Sequence, residues 1–171
     1  LTSPEVIDRV VSREVELGIA FEPVVNPEVE TEVLVTSGVS CVMRDTHPLA
    51  EREEIAIHEL DGVPIITYLP RALLRSNVDR ALSDAGVMPR FSVQVSLSLT
   101  GMALAYHGAG IALVEPFLLK ALPLPGLVAR PLRPRIELKT LLIRARSAPR
   151  SAIMARFVTH LRKEVAEMAK A

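Results

Sequence analysis

Apolar positions three and four apart set the first element of the chain. Val6, Ile7, Val10, Val11 and Val15 form one stripe across 3–15, which predicts an amphipathic helix with Ser3 as N-cap, Pro4 at the first helical position and Glu5 in the first turn. ELGIAF (16–21) then predicts a short strand, and the proline-bearing EPVVNPEVE a loop. TEVLVTSGVSCVMR (31–44) predicts one or two strands kinked near Ser37–Gly38; IAIHELDG (55–62) predicts a short helix and turn, and VPIITY (63–68) a buried strand. A helix over about 71–85 carries Leu74, Val78, Ala81 and Leu82 and stops at Gly86. FSVQVS (91–96) alternates as a strand, SLTGMALAYH (98–107) is a helix capped by Ser98, and GIALVE, LVARPL (127–132) and ELKTLLIRA (137–145) are further strands. The last element, 151–168, is an amphipathic helix with Ile153, Phe157, Leu161 and Val165 on one side. Strands separated by helices of this length predict an α/β fold with largely parallel sheets.

Composition narrows the function more than the fold. With 171 residues and 49% hydrophobic content, the chain can bury a real core as one large domain or two small lobes. Its 20 basic residues are balanced by 20 acidic ones, so no net field draws it to nucleic acid, and the densest basic stretch, RPLRPR (130–135), is broken by prolines. One cysteine, Cys41, excludes an internal disulfide and suits a reducing cytoplasm. No Cys/His spacing for zinc is present, and neither a metal nor another cofactor is expected. The apolar runs are too short and interrupted for a membrane span, and no signal-like segment opens the chain. Aromatics at 4% and the absence of Trp argue against a stacking platform for bases or sugars.

The stretch YHGAGIALVEP (106–116) carries the first candidate chemistry. In a dinucleotide-binding turn the glycines follow a strand and open a helix, whose N-terminal N–H groups hold the phosphate. Here the glycines close a helix and open a strand, so carbonyls and the negative dipole end face the turn, and Gly108 reads as a helix C-cap. Glu115, just past that strand, stands where open α/β sheets bind ligands, at the carboxyl end of a strand; a solvated loop charge is the plain alternative. Ser96, Ser98 and Thr100 surround another strand end and a helix N-terminus, where hydroxyls and unpaired N–H groups suit a carboxylate ligand, or simply cap the helix. Thr67–Tyr68 ends a third strand, Thr36–Ser37 a fourth, and Ser3 caps the first helix. No catalytic set emerges: GxSxG is missing, the histidines lack local partners, and Asp45-Thr46-His47-Pro48 is turn chemistry. The residues point to a small-molecule-binding protein, with an enzyme disfavoured.

Several segments together resemble one known family. SREVELGIAF is similar to its "G-x-x-D-L-G-I" stretch, with Glu16 in place of the usual Asp. VSCVMRDTHPLA resembles "v-v-p-x-x-H-P-L-A", IHELDGVPIIT resembles "x-D-L-x-G-x-P-F-I", DRALSDAGVMPR resembles "G-x-x-P-R", and AYHGAGIALVEP resembles "v-x-x-G-x-G-I-A-L-x-P". These are stretches of the effector-binding domain of LysR-type transcriptional regulators, in the family's order and over nearly the whole chain. The resemblance implies a periplasmic-binding-protein-like (type 2) fold: two Rossmann-like lobes joined by two crossover strands, with a small effector in the cleft. Lobe I would be 1–36 plus 142–171 and lobe II 37–141. The family's effector pocket would fall at Ser3, Thr36, Ser37, Thr67, Tyr68, Ser96, Ser98 and Glu115.

The resemblance also implies partners and boundaries. Leu1-Thr2-Ser3 aligns with the end of the family's second strand. The expected chain therefore lacks the winged helix-turn-helix, the linker helix, and the first strand and first helix of lobe I, and standing alone it would leave an apolar sheet edge uncovered. DNA would be read only through that N-terminal domain, by a cytoplasmic homo-oligomer, dimer or tetramer. VQVSLSLTGMALAYHGAGIALVEP is similar to the corresponding stretch in regulators of opine and amino-acid catabolism, which suggests a carboxylate or amino-acid-like effector, with Glu115 facing its ammonium. A periplasmic-type solute-binding protein is the rival reading.

Overall fold

A computed structural model describes residues 2–70, 72–149 and 151–170. Along the chain run α1 (Ser3–Val11), β1 (Gly18–Phe21), β2 (Val29–Gly38), β3 (Ser40–Arg44), β4 (Ile55–Ala56), β5 (Pro64–Tyr68), α2 (Leu73–Asp84), β6 (Arg90–Val95), α3 (Ser98–Tyr106), β7 (Ile111–Val114), α4 (Phe117–Ala121), β8 (Leu127–Arg133), β9 (Glu137–Ala145) and α5 (Ala152–Lys170). They form two compact units, Leu1–Ser37 with Leu138–Ala171, and Gly38–Glu137. The second break lies ahead of the 141/142 boundary expected from the sequence, because β9 already pairs with β1 from Thr140 onward.

In the first unit the start of α1 corrects the sequence reading by one residue. Thr2 is the N-cap: the Glu5 carboxylate accepts from the Thr2 N–H at 2.6 Å and from its hydroxyl at 3.1 Å, and these two bonds hold the Glu5 carboxyl below the ordinary glutamate value. Ser3 is the first helical residue, and its hydroxyl accepts from the Phe21 N–H of β1 at 3.2 Å. The helix stops at Val11, short of the predicted 15, and Arg13 turns the chain through a left-handed φ of 61°. The sheet order is β1-β9-β2, with β1 antiparallel to β9. Val10, Ala20, Val29, Leu141, Ile143 and Ala145 form the core, with Val6, Ile7 and Val11 of α1 packed on it. On α5 the predicted apolar side is only partly used. Val158 is buried and Leu161 and Val165 half-buried, but Ile153 and Phe157 are exposed, and a two-pronged Arg162–Glu32 pair at 2.8 and 2.6 Å ties the helix to β2.

The second unit carries a six-stranded sheet in the order β4-β8-β3-β7-β5-β6. It is mixed, which corrects the expectation of largely parallel sheets: β3 runs antiparallel to both β7 and β8, while β4–β8, β5–β6 and β5–β7 are parallel. The parallel β5, β6 and β7 are linked through helices, β5 to β6 by α2 and β6 to β7 by α3; β3 follows β2 with only Val39 between, so no helical crossover sets its direction. Helix α3 packs on β3, β5, β6 and β7, and all of β7 is buried. Cys41 lies in the middle of this sheet with no exposed surface, and burial pushes its thiol up to about 12. Thiol reagents at neutral pH should therefore leave the native protein unlabelled and modify it fully after denaturation; rapid native labelling would contradict this packing.

Candidate functional site

Three strands of the second unit end together, and their ends place the polar side chains. β5 finishes at Tyr68, β6 at Val95 just before α3, and β7 at Val114 just before Glu115. The Tyr68 phenol lies 2.6 Å from the Ser98 hydroxyl, which donates to Glu115 Oε2 at 2.7 Å. Residues 30 and 17 positions apart in sequence thus share one hydrogen-bonded chain at the sheet's carboxyl end. Burial raises the Tyr68 pKa well above that of an ordinary tyrosine, the Glu115 charge adds to it, and the Ser98 hydrogen bond acts the other way. The phenol therefore stays protonated near neutral pH and serves there as a hydrogen-bonding group. Thr67 is buried beside it in β5.

The start of α3 departs from the sequence reading in a useful way. Leu97, not Ser98, is the N-cap, and no side chain caps the helix. Ser98 is the first helical residue, so its hydroxyl is turned to Glu115 and does not close the helix end. The first bond within the helix is from Gly101 N–H to Leu97 carbonyl at 3.2 Å, which leaves the N–H groups of Ser98, Leu99 and Thr100 without an intrahelical acceptor. Ser96 and Thr100 flank this end with exposed side chains.

One residue of this region escaped the sequence reading. Arg75 of α2 donates to the Tyr68 carbonyl at 3.2 Å, pairs with Asp79 at 2.5 Å and lies 4.4 Å over the Phe91 ring of β6. It ties the end of β5, at Tyr68, to the start of β6, at Phe91. The only signal was an Arg and an Asp four apart on a helix, which reads equally well as a surface pair.

The remaining expected residues lie in the first unit. Ser37 is buried and donates to the Leu138 carbonyl at 3.4 Å, Thr36 is exposed in β2, and Ser3 is engaged with β1 as described. The Gly-Ala-Gly segment is a turn. Gly108 follows the C-cap His107 with φ 81°, its N–H on the Ala105 carbonyl at 2.9 Å. A shallow cavity of about 210 Å³ lined by Met43, Arg44, Thr46, His47, Pro48, Ala105, Gly108 and Gly110 lies at the opposite, amino end of β7. Its His47 accepts the Leu49 N–H at 3.1 Å, a turn role. Among the described residues no group of His, Cys, Asp and Glu could hold a metal ion, and no helix is long and apolar enough to cross a membrane.

Set beside solved structures, this architecture is the periplasmic-binding-protein-like (type 2) fold of regulator effector domains. It superposes on the CcmR regulatory domain of Synechocystis PCC6803, solved in complex with 2-PG, with a TM-score of 0.79 at 17% identity, covering 95% of this chain and 79% of that one. The effector-binding domain of QuiR, solved with shikimate, gives a TM-score of 0.74 at 16% identity over 99% of this chain and 79% of that one. The LysR substrate binding domain family matches residues 1–166, and the chain belongs to that family. Regulatory protein NocR of Agrobacterium tumefaciens is 30% identical over 115 residues, which is 67% of this chain and 38% of that protein. The chain thus spans well under half the length of this curated relative.

Proposed function

We propose that this chain is the effector-binding regulatory domain of a LysR-type transcriptional regulator, and that Tyr68, Ser98 and Glu115 with the open start of α3 form the second unit's part of its effector site. The observation that carries the reading is the convergence of those three side chains, from β5, α3 and the end of β7, beside N–H groups that the helix leaves unsatisfied. Strand ends of this kind are where open α/β sheets take ligands. The effector is a small carboxylate or amino-acid-like molecule. Support comes from the unsatisfied N–H groups and hydroxyls of the helix start, and from shikimate, a carboxylate, bound to the structurally similar QuiR domain.

Ser96 and Thr67 belong to the same strand ends; Ser3, Thr36 and Ser37 are the first unit's candidates. The role is regulatory and not catalytic, in keeping with a family of transcriptional regulators. The full regulator is a cytoplasmic homo-oligomer that reads DNA through a helix-turn-helix domain. Effector binding shifts the domain between two states by its differential affinity for them, and that shift controls the DNA-reading domain. A periplasmic-type solute-binding protein is not favoured, since the family is one of transcriptional regulators.

The test is calorimetric titration of the chain with a panel of small carboxylates and amino acids, repeated on Tyr68→Phe and Ser98→Ala. Each loss of a polar group that touches ligand, directly or through the chain, is expected to weaken binding about tenfold, or ~1.4 kcal/mol. Unchanged affinity in both variants would remove the site from this position.

A further inference from the structure

The cavity at the amino end of β7 lies apart from the strand-end site, and its polar lining has one chemical sense. His47 Nδ1 accepts the Leu49 N–H at 3.1 Å, so the proton of the neutral imidazole sits on Nε2, which can only donate. Burial lowers the His47 pKa, which keeps the ring neutral near neutral pH and preserves that tautomer. Arg44 is donor-only as well, and its side chain makes no hydrogen bond or ion pair among the described residues. Its Cδ and Nη1 lie 3.9 and 4.0 Å from where a Cβ on Gly108 would stand, which sets the guanidinium at the Gly108 edge of the cavity. Thr46 adds a hydroxyl that has no partner among the described residues. The lining holds no carboxylate among the described residues, and Asp45, next to Arg44 in sequence, is exposed and does not line it. Helix α3 ends at this edge, but its carbonyls amount to only about half a negative charge, less than the full positive charge of Arg44.

The rest of the wall is apolar. Met43 and Ala105 are each 1% exposed, Pro48 stands on the rim, and Gly108 and Gly110 present backbone without side chains. A volume of about 210 Å³ exceeds the roughly 150 Å³ that accommodates a benzene ring and falls below the roughly 300 Å³ at which sites for larger ligands begin. We propose that this cavity is a second ligand site, separate from the effector site, for a small organic anion. Its carboxylate meets the Arg44 guanidinium and the His47 Nε2–H, and its flat apolar body lies against Met43, Pro48 and Ala105. The four residues of β7, roughly 13 Å of strand, separate the two sites, so one small ligand cannot fill both.

The experiment is backbone amide NMR of the chain titrated with sodium benzoate, with benzamide, which keeps the shape and removes the charge, and with inorganic phosphate, which keeps charge without an apolar body. Benzoate is expected to give saturable shifts at residues 43–47 and 105–110, with a dissociation constant on the order of 1 mM, as suits so small a ligand. Benzamide and phosphate should each bind there about tenfold more weakly or less. Arg44→Gln, at an exposed position, should weaken benzoate about tenfold or more while the thermal unfolding midpoint stays within a few degrees. No saturable benzoate shift at those amides, or shifts confined to 67–68, 96–100 and 115, overturns the second site. So does benzoate binding there that Arg44→Gln leaves unchanged, or that benzamide or phosphate equals.

Discussion

Gly110→Ala should be among the most damaging single substitutions in the chain. A Cβ built on Gly110 would stand 2.4 Å from the Pro64 carbonyl oxygen and 2.9 Å from its carbon, and these are backbone atoms of β5 that no side-chain rotation can clear. Its φ of 141° adds a conformation that L side chains rarely adopt. Backbone strain of that kind alone costs roughly 1–3 kcal/mol, and the clash forces β7 away from β5 in addition, so a loss of about 3 kcal/mol or more is expected. Gly108→Ala two residues earlier is the control. Its φ of 81° is also left-handed, but its Cβ would meet nothing closer than 3.9 Å, so about 1 kcal/mol is expected. Urea denaturation of both variants measures the difference. A Gly110→Ala protein as stable as Gly108→Ala would show that β5 and β7 do not approach as described.

Leu113→Ala tests the layer beneath the site. Leu113 is 1% exposed in β7, in register with Cys41 of β3, and lies two residues before Glu115. Truncation in a core this closed should cost about 2–5 kcal/mol, the spread reflecting how far the cavity collapses. Val25→Ala, at a position 91% exposed, should stay within about 0.5 kcal/mol of the parent. Because the cavity would lie directly under the end of β7, ligand affinity should fall together with stability in Leu113→Ala. Equal midpoints for Leu113→Ala and Val25→Ala would contradict the burial of β7.

These two variants also mark which parts of the structure could be read in the sequence. Helix α3 and strand β7 were visible as a change of hydrophobic period around Gly108, and the order of glycines against helix and strand was enough to reject a phosphate loop there. Strand directions were not visible. The pattern of β3 reads the same in a parallel or an antiparallel place, and only its hydrogen-bonded neighbours, β7 and β8, decide. Caps were read one residue late at both α1 and α3: in each, the serine that looked like a cap is the first helical residue, and its hydroxyl bonds elsewhere, Ser3 to β1 and Ser98 to Glu115. The predicted apolar face of α5 misled at Ile153 and Phe157, since periodicity shows which residues share a face without showing how far the sheet beneath extends. Short Phe117–Ala121 was too brief to give a period at all.

Of the candidate site, position was legible and polarity was not. Tyr68, Ser98 and Glu115 could be placed at strand ends because α/β sheets gather their ligand groups there, but which hydroxyl gives its proton to which oxygen depends on distances of 2.6 and 2.7 Å that no sequence spacing encodes. Arg75 stayed hidden for the same reason: its backbone acceptor on Tyr68 is seven residues away and one element earlier.

The central claim, that the effector sits at the carboxyl ends of β5, β6 and β7, is tested most directly by backbone amide NMR. The chain would be titrated with whichever compound of the calorimetric panel raises its unfolding midpoint most. The account predicts that the largest shift changes fall on the amides of residues 67–68, 96–100 and 115. Shifts concentrated around Met43, His47 and Gly108, at the opposite end of β7, with Tyr68, Ser98 and Glu115 unmoved, would contradict it.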